Sequence, residues 1–277
     1  MDDIFAYSKT VNLLRQFFQD KKGFIEVPAQ SRLSILAACE DPRTLTKFEF
    51  AGTSYSLPQT GQMQLEHELM KNPDVNGLFC VTTSYRNEPE ETFIPGRHLR
   101  TFPMFEFESK GNYKDLIKTE DELLDYLGFS EPTPCCTYDA LCERYGVEFI
   151  EAEQEEIINK EIGNKVFIKD FPVRSDPFWN MQQNDKNKNL YNKVDVILFG
   201  QETIGSASRS TSPSEMKDAF YNISGGEYAK LLFEQFGEQR VIDELDEYLL
   251  SYSLFPRYGG GIGVSRMARA LQLSNII

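Results

Sequence analysis

Two stretches of alternating character, residues 78–86 (LFCVTTSYR) and 101–108 (TFPMFEFE), constrain this chain more than any other feature. A period of two is the signature of a β-strand. The connection between them, Glu88 to Gly96, is an acidic loop holding Pro89 and Pro95. On the first strand Thr82, Ser84 and Arg86 share a face; on the second Phe102, Met104, Glu106 and Glu108 do. If these faces coincide, a guanidinium stands beside an aromatic ring and two carboxylates. That set suits a nucleotide, with a fork for phosphate, a ring for the base, and carboxylates for a metal or amino groups. The same pattern also fits a solvated hairpin with surface ion pairs.

Elsewhere, Ile4, Val11, Leu14 and Phe18 fall at helical spacing over residues 4–21, and Gly23 stops that helix. Residues 47–57 read as a hairpin turning at Gly52-Thr53. A polar segment, Gln59-Thr60-Gly61-Gln62, runs into a helix carrying Leu65, Leu69 and Met70. Residues 113–165 hold acidic helical stretches and a cysteine-rich turn. Residues 194–199 form a buried strand that turns at Gly200 and continues over 203–209, and residues 215–252 are mostly helical. Strands followed by helices, with few βαβ alternations, give an α+β fold with an antiparallel β-sheet flanked by helices. No repeat or Gly/Ser linker divides the chain, so residues 1–277 are expected to form one domain.

Net charge is −14, which argues against a broad nucleic-acid surface but not against small anionic substrates, since those need only a few placed arginines. Met1-Asp2-Asp3 lacks the basic start of a signal peptide, and no apolar run is long enough to span a membrane. Five cysteines without a CxxC pair read as free thiols in a reducing cytosol rather than as a zinc site. A cytoplasmic protein is expected.

Two further constellations carry chemistry. Tyr258-Gly259-Gly260-Gly261-Ile262-Gly263-Val264-Ser265-Arg266 reads as a glycine-rich turn that brings backbone next to an arginine in the first turn of a helix. A cation is unfavourable at that end of the dipole, so a nearby anion would explain it. It is neither a dinucleotide fingerprint nor a P-loop. Asp195-Val-Ile-Leu-Phe-Gly-Gln-Glu202 places two acids seven residues apart, a pair able to hold Mg²⁺ against phosphates. Arg209 follows seven residues later and could fork onto a carboxylate. Simple alternation puts Glu202 and Arg209 on opposite faces, so both reach one site only if the strand bulges or turns between them.

Taken in chain order, the three constellations resemble motif 2, the metal strand and motif 3 of class II aminoacyl-tRNA synthetases, in the aspartyl and asparaginyl branch. The resemblance covers residues 8 to 273. Arg86-x-Glu88, then Arg97-His98-Leu99 with Phe102, is similar to that branch's motif 2. It implies ATP as cosubstrate, with Arg86 on the α-phosphate and acyl carboxylate, Glu88 holding the nucleotide, Arg97 and His98 at the outer phosphates, and Phe102 stacked on adenine. Gly261-x-Gly263-x-x-Arg266 resembles motif 3, which gives Gly263 and Arg266 to ATP and makes Arg266, with Arg86, a catalytic residue. Asp195 and Glu202 match the branch's magnesium acids. Arg209, Gln62 and Gly205 become contacts for the amino acid.

Four departures stand out. The branch's N-terminal anticodon-binding barrel is not found in this sequence. Gln30 stands where motif 1 ends in proline, with Pro28 two residues earlier. Ser265 stands where synthetases carry an acid, a wording similar to the ammonia-dependent asparagine synthetases of the same fold. Leu65 stands where aspartyl synthetases carry a lysine. The resemblance therefore implies an AMP-forming ligase that converts aspartate and ammonia to asparagine. Two alternatives stay open: a synthetase paralogue passing an activated amino acid to tRNA, a protein, a carrier or a small amine, and a non-catalytic binding module. Charge and the departures pull away from tRNA. Class II domains imply a homodimer through residues 8–30.

Overall fold

The computed structural model describes residues 3–30, 33–91, 93–95 and 97–277. Helix α1 (Ile4–Arg15) begins at Asp3, whose carboxylate accepts from the Phe5 and Ala6 amides. It continues as a π-helical turn, Gln16–Lys21, and ends before Gly23 in the left-handed region. A short strand, β1 (Ile25–Glu26), and a one-turn helix, α2 (Ile35–Ala38), follow. Strands β2 (Lys47–Phe50) and β3 (Thr53–Ser56) form a separate hairpin. Its turn is Ala51-Gly52, one residue earlier than expected, because both turn residues take positive φ as a two-residue hairpin requires.

Helix α3 (Gln62–Lys71) leads into β4 (Gly77–Tyr85) and β5 (Thr101–Lys110), followed by α4 (Tyr113–Tyr126), β6 (Cys135–Thr137), α5 (Tyr138–Tyr145) and α6 (Ala152–Glu161). Then come β7 (Lys165–Pro172), β8 (Leu190–Leu198), β9 (Gln201–Ser208), α7 (Pro213–Asn222), α8 (Glu227–Phe236), α9 (Glu238–Leu250), β10 (Arg257–Gly263) and α10 (Val264–Leu273). Among the described residues, eight strands make one sheet in the order β1-β4-β5-β10-β9-β8-β7-β6. Every pairing from β4 to β7 is antiparallel, and only the outer strands β1 and β6 join in parallel. The antiparallel α+β expectation holds, with parallel edges added.

Two expectations are corrected here. The glycine cluster is not a turn but the central strand β10, between β5 and β9. A Cβ at Gly259 would lie 1.8 Å from Glu108 Oε2, and one at Gly260 2.6 Å from Ser206 Cβ. The glycines are needed because neighbouring side chains cross over the strand. The cysteine-rich turn contains strand β6, which pairs with β7.

Each face of the sheet has its own cover. Phe105 and Phe107 of β5 point into a core shared with Val11 and Leu14 of α1, Leu123 of α4, and Met267 and Leu271 of α10. The opposite face carries Glu106 and Glu108. There α3, α7, α8 and α9 gather around Trp179, Phe220 and Tyr248, while α5 and α6 pack on β7 around Ile158, Ile168 and Ile197. Between these two helical groups the second face is left open as a cleft. No helix among the described residues is long and apolar enough to cross a membrane.

Candidate active site

The β4–β5 register decides the first sequence question. Thr82 pairs with Met104 and Ser84 with Phe102, so the two expected faces coincide. Arg86 lies just past β4, its amide bonded to the Arg100 carbonyl, and its guanidinium is 5.6 Å from the Phe102 ring centroid. One face of this guanidinium is held by Glu40, from the segment after α2, while Nε is buried without a hydrogen-bond partner. Arg86 itself lines a cleft, and a guanidinium with an unmatched donor suits an anion there.

The cleft has a volume of about 640 Å³. Arg86, Glu88, Arg97, His98 and Phe102 line it from the β4–β5 side. Glu202 and Gly205 line it from β9, and Gly263 and Arg266 from the β10–α10 junction. Arg266 donates to the Glu202 carbonyl, which ties the third constellation to the second. Gly263 leaves its wall smooth: a Cβ there would meet nothing closer than 3.8 Å.

Glu202 reaches this face through the bulge that simple alternation required. Val196 of β8 pairs with Ile204, yet Ile197 pairs with Glu202, so Thr203 is an extra residue and the facing parity changes at that point. Asp195 pairs with Gly205, and a Cβ on Gly205 would lie 2.9 Å from Glu202 Oε1 and 3.6 Å from Asp195 Oδ1. Only glycine keeps the space between the two acids clear. Burial pushes the Asp195 carboxyl up to about 7, opposed by the Lys193 ammonium 2.5 Å away and reinforced by Glu202. No group of three or more metal-ligating side chains occurs among the described residues. Two carboxylates do suit a Mg²⁺ ion held mainly by substrate phosphates and water.

Gln62, Arg209 and Asp195 are not on the cleft surface. Arg209 is 1% exposed, with Nε and Nη2 on the two Glu108 oxygens at 3.2 and 3.1 Å, and Nη2 also on Gln62 Oε1 at 2.8 Å. Glu66 stands 3.5 Å from Arg209 and itself takes Arg257 at 2.8 Å, the Tyr248 hydroxyl at 2.6 Å and the Asn180 amide. These residues form a buried network of two arginines and two glutamates under the floor. Leu65 points away from it, into a core patch with Leu69, Leu78 and Cys80. Glu106 sits between floor and cleft, accepting from the Thr60 hydroxyl at 2.5 Å and the Gly61 amide at 2.7 Å. Burial raises it to about 7.

Sequence reasoning missed Glu40, Glu66, Glu155 and Arg257. Arg257 was within reach, since period two along β10 puts it on the face of Gly259, Gly261 and Gly263. Glu40, Glu66 and Glu155 sit in a loop and on helices where no periodicity singles them out.

Comparison with known proteins bears on the fold and the family. The family model described as tRNA synthetases class II (D, K and N) matches residues 2–277. The chain is 23% identical to a lysine–tRNA ligase of Campylobacter jejuni subsp. doylei over 97% of its own length and 60% of that protein's. It is 24% identical to an asparagine–tRNA ligase of Pelotomaculum thermopropionicum, covering 91% of itself and 61% of the relative. The chain thus spans about three fifths of these relatives. Among solved structures, asparaginyl-tRNA synthetase from Pyrococcus horikoshii complexed with asparaginyl-adenylate superposes with a TM-score of 0.76. That match has 20% identity and covers 98% of this chain and 65% of the other. Fold, sequence order and the matched family model give one result: the chain belongs to the class II tRNA synthetase family of the D, K and N type.

Proposed function

We propose that this chain is an ATP-dependent, AMP-forming ligase that activates a small amino acid with an aspartate- or asparagine-like side chain. The observation that carries the reading is the convergence of Arg86 and Arg97 from the β4–β5 connection and Arg266 from α10 on one cleft opposite Glu202 and beside Phe102. Three guanidiniums around a polyanion, with an aromatic ring at one end, match the charge and shape of ATP.

In this reading Phe102 holds the adenine, Arg86 takes the α-phosphate and the acyl carboxylate, and Glu88 fixes the nucleotide. Arg97, His98 and Arg266 hold the outer phosphates. A substrate carboxylate oxygen forms a bond to the α-phosphorus, the bond from that phosphorus to the bridging oxygen breaks, and pyrophosphate leaves. An acceptor then attacks the acyl carbon and AMP departs. The residues contribute position and preorganised charge rather than covalent chemistry. Mg²⁺, held by Asp195 and Glu202, would supply positive charge to the phosphate oxygens. Arg209, with Gln62, would set the amino-acid side of the site. A buried guanidinium there disfavours a lysine side chain and favours a carboxylate or amide.

The relatives named as lysine–tRNA and asparagine–tRNA ligases support tRNA as acceptor. Ser265 and the net charge of −14 favour the second reading, ammonia as acceptor with asparagine as product. We read α1 and β1, which expose Ile4, Phe5 and Ile25, as the contact of a homodimer. The acceptor is tested by incubating the protein with MgATP, aspartate and ammonium, and separately with asparagine and tRNA. AMP with free asparagine supports ammonia, acylated tRNA supports tRNA, and AMP from neither mixture contradicts the activity.

A further inference from the structure

Helix α6 lies outside all three motif-bearing segments, yet one of its carboxylates reaches two of them. Glu155 Oε2 accepts from Arg97 Nη2 at 2.6 Å and from the Glu202 backbone amide at 2.6 Å. Arg97 Nη1 adds a bond to the Gly200 carbonyl at 3.4 Å. The side chains of Arg97 and Glu155 are only 12% and 11% exposed, so this is not a solvent-screened surface pair. The turn between β8 and β9 is pressed onto α6. A Cβ at Gly200, which has φ +75°, would lie 3.3 Å from the Glu156 Cα.

We propose that Glu155 is a positioning residue. Its single oxygen sets Arg97 and the start of the Glu202 strand relative to each other, around the place of the outer phosphates. An unanchored arginine on a long loop would have to lose its rotamer freedom each time it met a ligand; one held in advance does not. The carboxylate also fixes the strand residue whose own side chain faces the same cleft. The arrangement rests on the nucleotide reading given above.

The test compares two nucleotides that differ in outer phosphates. Calorimetric affinities for MgATP and for AMP are measured with the wild type, Glu155→Ala, Glu155→Gln, Arg97→Ala and the double variant Glu155→Ala/Arg97→Ala. Glu155→Ala weakens MgATP about tenfold and leaves AMP unchanged. Glu155→Gln, which keeps an acceptor oxygen at the same reach, stays within about twofold of the wild type. The double variant binds MgATP no more weakly than Arg97→Ala alone, because the two residues act as one unit. Should Glu155→Ala melt below the assay temperature, Glu155→Asp takes its place with the same expectation, its carboxylate being too short to reach both donors. MgATP binding by Glu155→Ala equal to or tighter than the wild type overturns the proposal. So does an equal loss of MgATP and AMP, or additivity in the double variant. A wild-type chain that binds neither nucleotide instead overturns the nucleotide reading itself.

Discussion

The cleft and the floor beneath it are built from the same residue types and behave oppositely. In the cleft, Arg86 keeps a buried unpartnered Nε, and its only ion-pair partner among the described residues is the half-exposed Glu40. In the floor, Arg209 and Arg257 are 1% and 0% exposed, with two carboxylates and a tyrosine hydroxyl around them. An arginine with free donors at a cleft wall gains by meeting an anion. An arginine whose charge is already matched, out of water, gains nothing from exposure and is costly to disturb. The cleft is built for binding and the floor for shape.

The largest expected effect comes from breaking the floor. Glu66→Ala leaves Arg257 buried without its carboxylate, and stability measured by denaturant titration drops by about 3–5 kcal/mol. Next is the cleft. Arg86→Ala lowers amino-acid-dependent adenylation by about 10²–10³-fold, while the denaturation midpoint stays close to that of the wild type. Equal stability losses in both variants would erase the distinction drawn here.

Smaller effects sharpen it. Gly259→Ala puts a Cβ 2.4 Å from the Phe107 carbonyl, and costs about 3 kcal/mol in thermal or denaturant unfolding. Gly263→Ala, with 3.8 Å of clearance, leaves stability within about 1 kcal/mol and acts instead on nucleotide affinity. The smallest effect lies behind the sheet. Glu120 of α4 is fully buried, and burial raises it to about 8, opposed by the nearby Ser206 hydroxyl and reinforced by Asp195. Its folded form keeps a proton that the unfolded chain has released, so its contribution is lost as pH rises toward about 8. Wild-type stability should fall by roughly 1–2 kcal/mol between about pH 6 and pH 8, and Glu120→Gln should flatten that slope. An unchanged slope would show that Glu120 does not titrate there.

Much of this was legible in the sequence because period two is a local signal. It placed β4 and β5 and gave each strand a face, one leading to Arg86 and one carrying Phe102; that the two faces coincide came only with the register. It also showed that Glu202 needed a bulge, which the structure supplies at Thr203. What stayed hidden depends on crossings between distant elements. The glycine cluster looked like a turn because nothing local reports that Glu108 lies over Gly259 and Ser206 against Gly260. The burial of Arg209 has no local signal, because Glu108 and Glu66, its partners, come from β5 and α3. Glu155 carries no motif, and only the docking of α6 on the β8–β9 turn brings it to Arg97.

The central claim, that the cleft forms an aminoacyl-adenylate, is tested most directly by exchange of labelled pyrophosphate into ATP, run with each amino acid in turn and no acceptor added. The account predicts exchange that depends on Mg²⁺ and on aspartate or asparagine, absent with lysine and lost in Arg86→Ala. Exchange with no amino acid at all, from a folded protein, would contradict it.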